Sequence, residues 1–281
     1  MPTRLSTLMT VAMVVALAAA APVAVANSHH KRTHRRLTSD STQVVVSRGR
    51  PVEIAYTPDL TGATSNFAAG LTNAVRMAVE AHPAIRGFPI QINIVNTPCG
   101  DSTSDAAAAE SIVANAQNVG VIGPFCSTAD AVQLPTYEGA DLVTISGSTT
   151  NPFLPPLGPS VFNSVDISDS CCPYVDLSSP WYATVETLPS VLEWRQAYTN
   201  EFGTSPVTFA DLYFDATNLL IRNLQNISSV GSNGSLVINR AALAESVRQT
   251  TRYQGVSCTV TLDPATGYRT DGQTALSRCA E

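Results

Sequence analysis

Three short segments concentrate the side chains that could hold a small polar molecule: Asp59-Leu60-Thr61-Gly62-Ala63, Gly123-Pro124-Phe125-Cys126-Ser127 and Ser146-Gly147-Ser148-Thr149-Thr150-Asn151. Hydroxyls and backbone N–H groups of this kind suit a small carboxylate. The same residue types are also ordinary turn formers and helix caps. Nucleophilic chemistry has less support. Cys126 has no neighbouring histidine to act as its base, and neither Ser127 nor Ser146 sits in G-x-S-x-G. Of the four histidines (His29, His30, His34, His82) only His82 lies outside the N-terminal tail, and the sole lysine, Lys31, is in that tail. A phosphate-loop or Schiff-base lysine is therefore absent from the folded part. His29, His30 and His34 lack companion ligands and read as a solvated tail rather than a metal site. No catalytic residue, metal or cofactor is expected.

The elements that position these segments follow from hydrophobic period. Pro51 to Thr57 alternates apolar and polar residues as a strand, and Phe67, Leu71, Ala74, Val75, Ala78 and Val79 recur at helical spacing until His82-Pro83. Ile90 to Ile94 is a second strand, Asp101 to Asn118 an Ala-rich helix with Ile112, Val113 and Ala116 inward, and Val119 to Ile122 a third strand. Ser127 to Glu138 is a helix interrupted by Pro135, Leu142 to Ser146 a fourth strand and Val161 to Val165 a fifth. Asp166 to Trp181 has no period. Helices resume at Leu188 to Phe202, Phe209 to Asn226 and Arg240 to Arg252, the last capped by Asn239, and Val256 to Leu262 alternates as a final strand. Strands alternating with helices imply an α/β fold with a doubly wound parallel sheet, in which ligands collect beyond the carboxyl ends of the strands. Each of the three segments follows a strand.

The chain has 281 residues, 44% of them hydrophobic and 14% charged, which suits globular structure and excludes disorder and coiled coil. With 16 Lys+Arg against 22 Asp+Glu, and the basic cluster confined to Lys31, Arg32, Arg35 and Arg36, no basic stripe remains to bind nucleic acid. Residues 1–26 run from Arg4 through an apolar stretch to Ala24-Val25-Ala26, the pattern of a cleaved signal peptide, and no lipid-accepting cysteine follows. The expected location is periplasmic or secreted. The expected division is a signal at 1–26, a basic tail at 27–43 and one lobe at 44–281 with an irregular connection at 166–183. Export makes the six cysteines disulfide candidates. Cys99 follows the second strand and Cys126 the third, so a Cys99–Cys126 bridge fits if those strands are neighbours. The pairing of Cys171, Cys172, Cys258 and Cys279 stays open. Trp181, Trp194 and Tyr198 read as packing residues, and Asn226-Ile227-Ser228 and Asn233-Gly234-Ser235 match the glycosylation sequon.

The stretch Val121-Ile122-Gly123-Pro124-Phe125-Cys126-Ser127, continuing through Pro135-Thr136-Tyr137-Glu138 to Ile145-Ser146-Gly147-Ser148-Thr149-Thr150-Asn151-Pro152, resembles the first lobe of the branched-chain amino-acid-binding periplasmic proteins of ABC transporters. Leu60-Thr61-Gly62, Trp194 to Gly203, Tyr213-Phe214-Asp215-Ala216 and Tyr253-Gln254-Gly255-Val256 are similar to further segments of that family. The resemblance implies a type 1 periplasmic binding protein, with Ser127, Thr149 and Thr150 holding a ligand's carboxylate and ammonium and Phe67 near the ligand. It also implies a Cys99–Cys126 disulfide, and ABC importer membrane subunits as partners where transport is retained. One departure stands out. Asp166 to Ala183 leads directly into segments that resemble the return to the first lobe, so most of the second lobe is expected to be missing; eighteen residues cannot form a lobe with its own core. The expected function is that of an exported solute-binding protein for a branched-chain amino acid or related carboxylate. The alternative is a secreted interaction or sensor module using the exposed interlobe face.

Overall fold

The computed structural model describes residues 42–149, 189–257 and 259–264, and the backbone of 161–163. Eleven strands and six α-helices are present among the described residues. A central sheet has the order β3-β4-β2-β5-β6-β7. Its parallel strands are β2 (Val52–Tyr56), β4 (Phe88–Ile94), β5 (Asn118–Ile122), β6 (Thr144–Ser146) and β7 (Val161–Asn163). The short β3 (Ala84–Ile85) lies antiparallel on β4 at one edge.

Alternate residues of each strand serve opposite faces of this sheet. Ile54 and Tyr56 of β2 and Ile122 of β5 belong to the core that holds helices α1 (Ala68–Ala81) and α5 (Ala210–Ile227). Ala55 and Val121 pack on the other face, under α2 (Ser102–Ala114) and α3 (Ser127–Gly139). The sheet is thus doubly wound, as expected. The remaining helices are α4 (Pro189–Phe202) and α6 (Arg240–Arg248). Trp194 and Tyr198 of α4 are buried against each other and Phe202, confirming them as packing residues, whereas Trp181 lies outside the described residues.

Several boundaries differ from the sequence reading. Helix α2 stops at Ala114 rather than Asn118, leaving Ala116 exposed, because the Asn118 side-chain amide donates to Ile112 O (2.9 Å) and buried Arg240 donates to the carbonyls of Ala116 (3.2 Å) and Asn118 (2.6 Å). Helix α3 runs through Pro135 without interruption, since the ring faces solvent while Leu134 and Tyr137 anchor the adjoining turn in the core. The tail assigned to 27–43 yields its last residue to β1 (Gln43–Val46), which pairs antiparallel with β9 (Leu236–Asn239), itself hairpinned to β8 (Ser229–Val230). The final strand is only β11 (Thr259–Val260), paired with an unforeseen β10 (Tyr253–Gln254). Val256 and Ser257 are instead held by Asp215, which accepts from both their N–H groups at 2.8 and 2.9 Å.

The strand order corrects the premise of the disulfide argument. β4 and β5 are not neighbours; β2 lies between them. Cys99 and Cys126 are nevertheless bonded, with their Cα atoms 5.8 Å apart. The chain after β4 stays paired over the end of β2, through Val95 N–H to Tyr56 O (2.9 Å) and Thr97 N–H to Pro58 O (3.0 Å), and then turns across it. Replacing both cysteines with alanine is expected to lower stability by roughly 2–4 kcal/mol in the chain-entropy model. Chemical denaturation of the two proteins checks this, and equal midpoints would refute it.

Candidate functional site

The carboxyl ends of β2, β5 and β6 bring the three polar segments together. After β2, Thr57 donates from its N–H and its hydroxyl to Ile122 O at 3.0 and 3.2 Å, locking the start of the first loop to β5. Asp59 is 2% exposed and organises the rest of this loop. Its Oδ1 accepts from the N–H groups of Thr61 (3.2 Å) and Gly62 (2.5 Å), and its Oδ2 from the Thr64 N–H (2.9 Å) and hydroxyl (2.6 Å). Burial tends to raise the Asp59 carboxyl, but these hydrogen bonds outweigh it and hold the group below the ordinary carboxylate range. A side chain at position 62 would start 2.7 Å from both Asp59 Oδ1 and the Cys99 nitrogen, so glycine is required for the loop to close.

The second segment starts at Gly123, whose φ of +110° is open to glycine and strained for other residues. A Cβ there would also meet the Thr57 hydroxyl and carbonyl. The Gly123-Pro124 peptide is cis and leads to Phe125, whose ring stacks on Phe67 at 5.4 Å and 22° and meets Phe209 edge-on at 6.0 Å. Cys126 then caps α3 without a side-chain hydrogen bond, and the disulfide fixes this cap to the segment after β4, where Cys99 Sγ lies 2.9 Å from the Thr64 hydroxyl of the first loop. The first N–H groups of a helix have no intrahelical partner. Half-buried Ser127 is at this end of α3.

In the third segment the hydroxyls bind the scaffold. Ser146 donates to Pro124 O (2.7 Å) and accepts from the N–H groups of Ser148 and Thr149 at 3.1 Å each. Ser148 donates to Phe125 O (2.7 Å) and is 3.1 Å from the Tyr213 hydroxyl, which donates to Pro124 O at 3.2 Å. Thr149 is fully buried. Thr150 lies outside the described residues, as do the signal segment, the tail histidines and Cys171, Cys172, Cys258 and Cys279.

Of the residues expected to hold a ligand, Ser127 and Phe67 are half-buried, with Phe67 stacked on Phe125 of the segment that ends at Ser127, whereas Thr149 is withdrawn from the surface with its hydroxyl at Asp130. The sequence reading did not assign Tyr213 or Asp59 their tasks of tying the loops together. In the sequence Tyr213 stands within Tyr213-Phe214-Asp215-Ala216, one of the segments similar to the family, and nothing local to it pointed to a partner in the Ser148 loop. His82 caps the far end of α1, about 20 Å of helix from the site. Among the described residues no group of three or more His, Cys, Asp or Glu side chains could hold a metal ion.

In the first turn of α3, Asp130 is fully buried, and burial pushes its carboxyl up to about 7, with the Thr149 hydroxyl opposing the rise. An acid whose folded value exceeds its unfolded one keeps its proton longer in the native state. Stability is therefore lost as pH rises from about 4 to about 7, and not regained above it. Asp130→Asn is expected to flatten this dependence and to stabilise the protein above pH 7 by about 1–2 kcal/mol. Melting curves across pH 4–8 check it; an unchanged pH profile would contradict it.

No protein-family model and no curated protein matches the chain. Solved structures do. The leucine-binding protein of Thermotoga maritima is 14% identical, with 76% of this chain and 92% of that one covered at a TM-score of 0.61. A branched-chain amino acid transporter substrate-binding protein from Streptococcus pneumoniae, solved with isoleucine, is 13% identical, with 78% and 94% covered at 0.57. A type 1 periplasmic binding protein from Bordetella pertussis is 14% identical, with 79% and 95% covered at 0.60. Identities at this level speak for fold, and the doubly wound sheet with its loops gathered at the strand ends is accordingly the fold of the type 1 periplasmic binding proteins, with one such sheet among the described residues.

Proposed function

We propose that this chain is an exported, non-catalytic solute-binding protein that holds a small amino acid or related carboxylate at the carboxyl ends of β2, β5 and β6. The observation that carries the reading is the convergence of three polar loops at that end of the sheet, braced by Asp59, Ser146, Ser148 and Tyr213. In this reading the ligand carboxylate sits at the start of α3, at the Ser127 hydroxyl and the free N–H groups of the first turn. Thr149, buried with its hydroxyl at Asp130, anchors the third loop behind this polar side, and the Phe67–Phe125 stack bounds the apolar side. The solved relatives are named for branched-chain amino acid transport and for leucine, which supports an aliphatic amino acid as ligand and an ABC importer as partner.

Export is tested by the mature N-terminus, expected at Asn27 after Ala24-Val25-Ala26; an intact Met1 in the secreted fraction contradicts it. The binding reading is tested by calorimetric titration of the full chain with leucine, isoleucine and valine, alone and as Ser127→Ala. Weak saturable heat that falls several-fold in the variant supports the reading, and heat indifferent to Ser127 overturns it.

A further inference from the structure

A second cleft, of about 480 Å³, opens along a different stretch of α5. Phe214, Asn218, Ile221, Arg222 and Gln225 follow one another at helical spacing and form one wall. Tyr253-Gln254-Gly255-Val256 forms the facing wall, and His82 at the end of α1 closes one side. The volume is within the range of small-molecule sites. Asp215 lines the cleft too, but its carboxylate secures the facing wall through Val256 N–H, Ser257 N–H and the Ser257 hydroxyl.

Two features give this cleft a chemical preference. Asn218 is only 9% exposed, and its Oδ1 is buried without a hydrogen-bond partner, an arrangement that favours a ligand bringing a donor. One helical turn further on, Arg222 places its guanidinium over the Tyr253 ring at 5.5 Å, leaving a cation at the mouth. Phe214, Ile221 and Tyr253 supply apolar surface between them. Tyr213, which serves the strand-end site, is about 13 Å of helix from Arg222. The cleft is therefore a separate place on the lobe.

We propose that this cleft binds a small aromatic carboxylate bearing a hydroxyl. The hydroxyl donates to Asn218 Oδ1, the carboxylate meets the Arg222 guanidinium, and the ring lies against Phe214, Ile221 and Tyr253. The probe is 4-hydroxyphenylacetate, titrated into the full chain by calorimetry beside phenylacetate, which lacks the donor. The expected result is millimolar binding of the hydroxylated acid, roughly tenfold weaker binding of phenylacetate, and a roughly three- to tenfold loss in Arg222→Gln. Asn218→Leu, whose folding is checked by its melting curve, should abolish the preference for the hydroxyl. Ser127→Ala should leave both titrations unchanged, which separates this site from the strand-end site. Absence of binding at millimolar probe, indifference to Arg222→Gln, or loss in Ser127→Ala would each overturn the proposal.

Discussion

Asp59→Ala is expected to destabilise the protein by about 2–4 kcal/mol at neutral pH, several times the effect of an ordinary surface substitution. The carboxylate accepts from Thr61, Gly62 and Thr64 within one tight loop, and removing it leaves these donors without their charged partner in a nearly closed space. Hydrogen bonds to a charged group contribute more than neutral ones. The pH dependence has a definite sign. Because the folded carboxyl lies below its unfolded value of about 4, its stabilisation is present above that value and lost as pH falls through the folded one. The gap between wild type and variant should therefore be wide at pH 7 and narrow on acidification below pH 4. Denaturant titrations at both ends check it. A gap that persists undiminished in acid would show that Asp59 acts by packing rather than by charge. Loss of the loop should also weaken ligand binding, since Thr64 and the disulfide beside it fix the start of α3.

Affinity is expected to be low in the isolated chain, falling to millimolar for leucine, isoleucine or valine. A two-lobed trap buries most of its ligand and pairs both of the ligand's charges in a dry cleft. A single lobe leaves one face of the ligand in water, where hydrogen bonds and ion pairs yield little net energy. Losing half the contacts removes several kcal/mol, and each 1.4 kcal/mol is tenfold in affinity. A ligand that a two-lobed protein holds at micromolar concentration would thus be weakened by about a thousandfold. A submicromolar dissociation constant for the monomer would contradict the one-lobe account and require another part of the chain, or a second subunit, to close over the site.

What the sequence disclosed depended on how local the determining contacts are. Periodicity sufficed for β2, α1, β4 and α5, whose apolar residues meet the core at the expected spacing. It carried no information on strand order. The Cys99–Cys126 bridge was anticipated from an adjacency that does not exist, and it forms because the loop after β4 turns over the end of β2. β1 escaped notice because its partner, β9, lies almost 200 residues away in the chain, and four residues beside a polar tail give no local signal of such pairing. Val256 to Leu262 alternates convincingly, yet Asp215 captures its first N–H groups, leaving Thr259–Val260 to pair with β10 and the Leu262 N–H to reach Thr250 O at 2.9 Å. The loops of the site were visible as hydroxyl-rich turns. Which of their hydroxyls face a ligand was not, because Ser146 and Ser148 are committed to the carbonyls of Pro124 and Phe125, residues some twenty positions earlier.

The central proposal is that an aliphatic amino acid binds at the strand-end loops, and amide chemical-shift mapping during an isoleucine titration tests it most directly. The account predicts saturable shifts concentrated at residues 57–67, 123–129 and 146–149, with the amides of Ser127 and its first helical turn among the largest and those around Arg222 and Tyr253 unmoved. Shifts confined to the α5 cleft, or spread without focus over the surface at the same concentrations, would contradict it.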